Sequence, residues 1–268
     1  MLKRLVYLFV RCEGVLLYLF YWLFFKRKNP SDLGKGLHPE KRMFIFGSSF
    51  SINDITVSEW DEIRRKGSTM SFNMFYYADL VDIDYHVIRE VIVAKNYLSR
   101  KSFSELRRVN NKISRNRRFL KAKYFAMIDS FSPGALLWYI FYGRRKCTYV
   151  YKNLFNRVAS WPISESLEKI PHGGTTLFDC INISYILGYK EIVLVGVDLK
   201  DSRYFYLDYN ESHWLSKDVK PDTPHPTQTR VLLNIVEWNN HLKKQGVKLF
   251  SYSDSSLLRK ILPIYYKG

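Results

Sequence analysis

The stretch from Gly173 to Asp198, GGTTLFDCINISYILGYKEIVLVGVD, constrains the fold of this chain more than any other. Two glycines and two threonines form a flexible turn ending in hydroxyl side chains suited to a helix N-cap. Leu177, Cys180, Ile181, Ile183, Ser184 and Leu187 then recur near helical spacing, which predicts a helix. Gly188 stands where a helix end calls for positive φ. Ile192 to Val197 follows at once, apolar, β-branched and too short for a helix. It predicts a central strand buried on both faces of a parallel sheet. Asp198 then falls at the strand's C-terminal edge, where open α/β sheets bind ligands, so Asp198 is expected to face any active site.

The rest of the chain is compatible with one such domain and an appendage. It has 268 residues, 47% of them hydrophobic and 16% aromatic, which excludes disorder and provides for a real core. Cys12, Cys147 and Cys180 are scattered without C-x-x-C spacing, which fits a reducing cytosol and no disulfide framework or zinc site. The formal charge is +17, a field that favours polyanions: nucleic acid, anionic lipid, or phosphorylated sugars and nucleotides.

Residues 1–28 hold about 21 mostly apolar residues between Lys3-Arg4 and Lys26-Arg27-Lys28, just enough to cross a bilayer as a helix. Arg11 and Glu13 interrupt the run, and no small-residue cleavage site follows it. The segment is expected to be a membrane-anchoring helix, spanning or monotopic; an amphipathic helix packed on the domain is the alternative. Residues 29–40 are polar and rich in Pro and Gly and read as a linker, leaving residues 41–268 as the catalytic domain.

Within that domain Met43 to Phe46 predicts a strand, followed by GSSFSIND. A βα turn there would present Gly47, Ser48 and the N-cap candidate Ser51 to a phosphate or ribose, although a glycine with two serines is also an ordinary turn. STMSFNMF predicts a second strand ending at Asn73, whose amide offers donor and acceptor together. Asp82 and Asp84 form a D-x-D pair of the kind that can hold a divalent metal, or simple alternation in a loop or strand. Arg100 to Lys123 is a basic block with a helical part, expected to be either a solvated face or a contact for anionic lipid or a phosphorylated acceptor. No nucleic-acid-binding motif accompanies it, so nucleic acid is not expected as a partner. The aromatic segment in 131–170 reads as a lid or a second membrane-facing patch.

Beyond the central strand come Tyr204, Tyr206 and Tyr209, whose phenols could donate to a leaving phosphate. His225 stands between two prolines just before a helix and is a candidate base, with His213 a competitor. Arg230 to Lys244 predicts an amphipathic helix, Val247 to Tyr252 a strand, and SDSSLLRKI a capped terminal helix.

Taken in order, GSSFSI, SFNMFYY, GYKEIVLVGVDL, HPTQTR and SYSDSSLL resemble the pattern of the bacterial CMP-sialic-acid-dependent sialyltransferases of glycosyltransferase family 42, from about Arg42 to Ile264. The resemblance implies a Rossmann-like, mostly parallel α/β sheet flanked by helices, a variant of the GT-A type, preceded here by the N-terminal hydrophobic helix. It implies that Gly47, Ser48, Ser51 and Asn73 line the nucleotide and that Thr176 and Asp198 contact donor sugar and ribose. Tyr206 would meet the phosphate and His225 would be the general base. One of the family's phosphate tyrosines aligns near Lys200, a cation able to take its place, and the arginine ahead of its Thr-Ser pair is absent here, with only His172 nearby.

The function so implied is a membrane-associated, inverting and metal-independent glycosyltransferase without a cofactor. It would move sialic acid, Kdo or a similar sugar from a CMP donor to a lipopolysaccharide or other cell-surface glycan. Its expected partners are the nucleotide-sugar donor, a glycolipid or polysaccharide acceptor and an anionic membrane surface, with a homo-oligomer compatible. Its expected place is the bacterial inner membrane, with the catalytic domain facing the cytoplasm. The Gly-Ser turn and Gly-x-Asp-Leu edge are also similar to hydroxymethylpterin pyrophosphokinase-like proteins and related flagellin-glycosylation factors. Magnesium chemistry of that kind would centre on Asp82, Asp84 and Asp198. A non-catalytic, membrane-attached binding protein is the third reading.

Overall fold

The computed structural model describes residues 42–89, 100–128, 148–154, 163–200, 202–206, 224–225 and 227–265. The N-terminal segment, the linker, most of the aromatic segment, Tyr209 and His213 lie outside the described residues.

Eight strands form one parallel sheet: β1 (Arg42–Phe46), β2 (Gly67–Phe72), β3 (Tyr85–Ile88), β4 (Lys123–Ile128), β5 (Thr148–Leu154), β6 (Ile170–Pro171), β7 (Glu191–Val195) and β8 (Lys248–Ser251). Their order is β6-β5-β4-β3-β2-β1-β7-β8, and every pairing is parallel. Chain order runs outward from β1 to one edge, then returns to place β7 and β8 on β1's other side. The β1/β7 junction is therefore the topological switch point, where the connections above the strand ends diverge and leave a crevice.

Composition explains why these strands are central. Met43 to Phe46 and Ile192 to Val195 are 0–1% exposed, so both faces are covered and the apolar run has no solvent side to alternate with. Among the described residues four helices supply the cover: α1 (Val57–Lys66), α2 (Arg100–Arg115), α3 (Thr176–Ile186) and α4 (Gln228–Lys244). Thr56 caps α1 through a reciprocal capping box with Glu59. Helix α3 is apolar nearly all round and buries Thr176 to Ser184 without a break. Phe178 on α3 meets Trp238 on α4 at 4.7 Å between ring centroids, which ties the two helices beside the crevice. Gly188 closes α3 with φ 85°, the left-handed conformation expected from its position.

The expected elements are present with small shifts. The strand predicted over Ile192 to Val197 ends at Val195, because Gly196 turns with φ 63°. The predicted terminal helix is a single 3-10 turn, Leu257–Lys260, capped by Ser256. The aromatic segment contributes an interior strand, β5, rather than only a lid or surface patch. Among the described residues no helix is long and apolar enough to cross a membrane.

Candidate active site

A cleft of about 450 Å³ opens over the C-terminal ends of β1, β2, β3 and β7. Its floor is made where β1 and β7 come together. The Gly47 amide donates to the Val195 carbonyl at 2.7 Å, and a Cβ on Gly47 would stand 2.2 Å from the Gly196 oxygen. Only glycine admits that approach, so the Gly-Ser turn of the sequence has a steric cause here.

Asn73 stands directly after β2 with φ 49°, a conformation that asparagine tolerates better than most side chains. Its Nδ2 donates to Thr176 Oγ1 at 3.2 Å, while its Oδ1 is buried and has no hydrogen-bond partner. A buried amide oxygen without a donor is costly, so it marks a place for a ligand N–H or O–H. Thr176 begins α3, and Thr175 at the N-cap makes no capping bond and keeps its hydroxyl buried and unpartnered. Helix α3 thus aims its N-terminal dipole and unused polar atoms at the cleft.

Opposite, Tyr204, Tyr206, His225 and Thr227 close the wall. The segment carrying the tyrosines is pinned to the β1 turn by Phe205 N–H donating to the Ser48 carbonyl at 3.1 Å and by the Ser49–Tyr204 bridge. Burial, reinforced by Tyr204, Tyr76 and Tyr77, pushes the Tyr206 phenol far above its ordinary range, so it stays a neutral donor. His225 Nδ1 lies 2.8 Å from Thr227 Oγ1 and accepts from the Thr227 amide at 3.2 Å; its ring meets Tyr204 edge-on at 5.6 Å.

The cleft also contains cations that the motifs did not point to. Arg89, at the end of β3, and Arg230, in the first turn of α4, both line it. Arg230 Nη1 donates to the Gly174 carbonyl at 2.9 Å. Arg89 packs on the His172 ring at 2.6 Å and lies 3.7 Å from the fully buried Asp179. Asp179 also accepts from Tyr151 at 3.0 Å and faces His172 Nδ1 at 3.3 Å. A buried carboxylate of this kind is sustained by its cation and its donors together. Among the described residues the cleft lining contains no Asp or Glu; Asp179 stands behind it as the counter-ion of Arg89.

Six of the nine sequence-derived site residues meet in this cleft: Gly47, Ser48, Asn73, Thr176, Tyr206 and His225. Ser51, Asp198 and Lys200 line a smaller cavity of about 180 Å³ on the far side of the Ser49 turn, with Asp54 and Arg203. The two spaces share Ser49, whose hydroxyl accepts from the Asp198 amide at 3.0 Å. The D-x-D pair is elsewhere. Asp84 immediately precedes β3 and binds Arg64 at 2.7 Å and the Thr69 amide at 2.9 Å, and Asp82 binds Arg118 at 3.1 Å. Both carboxylates therefore sit at the N-terminal edge, away from the crevice. Among the described residues no three of His, Cys, Asp and Glu are grouped to hold a metal ion.

No family model matches the chain, and no curated protein does. A solved structure does. The monofunctional alpha-2,3-sialyltransferase Cst-I from Campylobacter jejuni has a TM-score of 0.52 over 86% of this chain and 82% of its own, at 17% identity. The chain has a sialyltransferase fold. A variant of sialyltransferase Cst-II in complex with CMP gives a TM-score of 0.49 at 14% identity, covering 84% of this chain and 86% of that one. The α/β architecture expected from the sequence is thus that of a solved sialyltransferase.

Arg89 and Arg230 were within reach of sequence reasoning. Each directly follows or opens an element whose edge was already identified: Arg89 after the apolar YHVI, Arg230 in HPTQTR. What joins them is the fold of the sheet, not proximity in the chain.

Proposed function

We propose that the chain is a glycosyltransferase that binds a CMP-activated sugar in the cleft and passes the sugar to a hydroxyl of a glycan acceptor. The observation that carries this reading is the composition of the cleft: two arginines, two histidines, unpaired buried polar atoms at Asn73 and Thr175, and no carboxylate. Such a site attracts an anion and offers neutral donors to it. In this reading Gly47, Ser48 and Asn73 hold the nucleotide, Thr176 meets the donor sugar, and Tyr206 donates to the departing phosphate. His225 takes the acceptor's proton on Nδ1, the ring nitrogen that accepts from Thr227 in the free protein, while the acceptor oxygen attacks the anomeric carbon and CMP leaves with the bonding electrons, in one inverting displacement. Ser51, Asp198 and Lys200, next door across Ser49, take the parts of donor or acceptor that extend past the turn.

Positive donors then do the work that a divalent metal does elsewhere. The donor sugar is sialic acid, Kdo or a similar sugar, and the acceptor is a lipopolysaccharide or other cell-surface glycan. In this reading the enzyme works on an anionic membrane at the cytoplasmic side of a bacterial inner membrane; the hydrophobic sequence of residues 1–28 and the basic face of α2 support it.

The test is a titration of the full chain with CMP, ATP and GTP, each with and without magnesium. CMP binding that needs no metal and is weakened by Asn73→Gly supports the reading. ATP binding only with magnesium would replace it with a pyrophosphokinase-like site.

A further inference from the structure

Tyr206 lines the cleft and is held there by aromatic rings. Among the described residues its ring touches Phe205 edge-on at 5.0 Å, Tyr204 at 5.5 Å and Tyr77 at 5.6 Å. Two of those partners are its own chain neighbours and move with it. Tyr77 comes from a different element, the 3-10 turn Asn73–Tyr77 that follows β2, and its ring lies nearly parallel to that of Tyr206, at 18°.

Tyr77 itself is held from the other side by α2. Arg108 Nη1 donates to the Tyr77 hydroxyl at 2.9 Å, and Lys112 Nζ stands 4.4 Å from the ring centroid. A cation over a phenol ring is attracted by the ring's negative face, and a fixed hydroxyl leaves the ring no freedom to slide. The backbone of the turn is secured as well. Asn116, just past α2, donates its Nδ2 to the carbonyls of Tyr76 at 3.1 Å and Ala78 at 2.6 Å. The basic block, left as a surface feature by its sequence, thus has an inward use: two of its cations hold a ring that stacks on a phenol of the cleft.

We propose that Tyr77 is a positioning residue for Tyr206, clamped by Arg108 and Lys112 of α2, and that it sets where the Tyr206 hydroxyl meets the ligand phosphate. The inference rests on the donor reading above for the identity of the ligand, but the clamp itself is a property of the free protein. Tyr77 is not part of the cleft lining. It acts through the ring it stacks on.

Two measurements on the full chain test it. The first compares binding of CMP with binding of cytidine, which lacks the phosphate, so that their ratio isolates the phosphate contacts. Tyr206→Phe is expected to cut the preference for CMP by about tenfold, the loss of one hydrogen bond to a charged group. Tyr77→Leu is expected to cut it by a similar factor while leaving cytidine affinity in place, and to add nothing further in the Tyr206→Phe background. Tyr77→Phe, which keeps the stack and the Lys112 contact but loses the Arg108 hydrogen bond, should restore part of the preference. Unchanged preference in Tyr77→Leu, or CMP and cytidine weakened alike, would overturn the proposal.

The second measurement needs no ligand. With 3-fluorotyrosine incorporated, the fluorine resonance of Tyr206, assigned by its disappearance in Tyr206→Phe, is expected to shift in Tyr77→Leu and to shift less in Tyr77→Phe. A resonance unmoved by Tyr77→Leu refutes the clamp. A wild-type chain that binds CMP no better than cytidine refutes the transferase reading instead, and the fluorine result still decides the clamp.

Discussion

Asn73 concentrates the residue-scale argument, because one side chain meets two demands at once. Its backbone turns with φ 49° and its buried Oδ1 is left for a ligand. The two can be separated. Asn73→Gly keeps the turn and deletes the amide, so CMP affinity is expected to fall about tenfold with little loss of stability. Asn73→Ala deletes the amide and also strains the backbone, adding about 1 kcal/mol of destabilisation that a urea titration would detect. Wild-type CMP affinity in Asn73→Gly would remove Asn73 from the site. His225 carries the complementary expectation for chemistry. His225→Ala should leave CMP binding nearly intact and lower the release of CMP from a CMP-sugar donor by about 10²- to 10⁴-fold.

At the scale of elements, the central sheet buries a histidine whose protonation is linked to folding. His86 on β3 is fully buried, with Nδ1 at 2.8 Å from Ser71 Oγ and Nε2 unpartnered, and burial holds its pKa down at about 3. In the unfolded chain an ordinary histidine titrates near 6.5. The folded value is therefore depressed. The unfolded state binds the extra proton first, and stability is lost as pH falls through the window from about 6.5 to about 3, by up to about 1.4 kcal/mol per pH unit. Urea unfolding at pH 7 and pH 5 should show about 2 kcal/mol of this loss in the wild type. His86→Gln should show correspondingly less, and identical pH slopes for the two would contradict the assignment.

The same scale shows what could be read in advance. The α3–β7 unit was legible because Leu177, Cys180, Ile181, Ser184 and Leu187 repeat at helical spacing and Gly188 ends the run, all local signals. Asn73 and His225 were legible as ends of elements. The split of Ser51, Asp198 and Lys200 from the other site residues was not, because it depends on which way the Ser49 turn faces once Gly47 packs on Gly196. Arg89 and Asp179 were invisible as a pair, being 90 residues apart and brought within 3.7 Å only by the order of the sheet. The D-x-D pair was a chance resemblance to a metal motif: its partners are Arg64, Thr69 and Arg118, at the opposite edge from the cleft.

For the whole molecule, the charge of +17 and its distribution decide which surfaces and partners it can meet. Arg107, Lys112, Arg115, Arg117 and Lys121 are exposed along α2 and the turn after it, with Leu120 65% exposed among them. A basic face with an apolar tip suits an anionic bilayer. The full chain is expected to sediment with vesicles containing phosphatidylglycerol and to retain more of that binding at low salt than at 0.5 M. Charge reversal at Arg115 and Lys121 should weaken it, and binding indifferent to salt would assign attachment to the N-terminal segment alone.

The cleft is where the fold, the unpaired polar atoms and the absence of carboxylates from its lining meet, and its ligand is the central claim. Calorimetric titration of the full chain with CMP in the presence of a chelator tests it most directly. Saturable binding, weakened by Asn73→Gly and unaffected by adding magnesium, is the expected result. A folded chain that ignores CMP and takes up ATP only when magnesium is supplied would contradict the account.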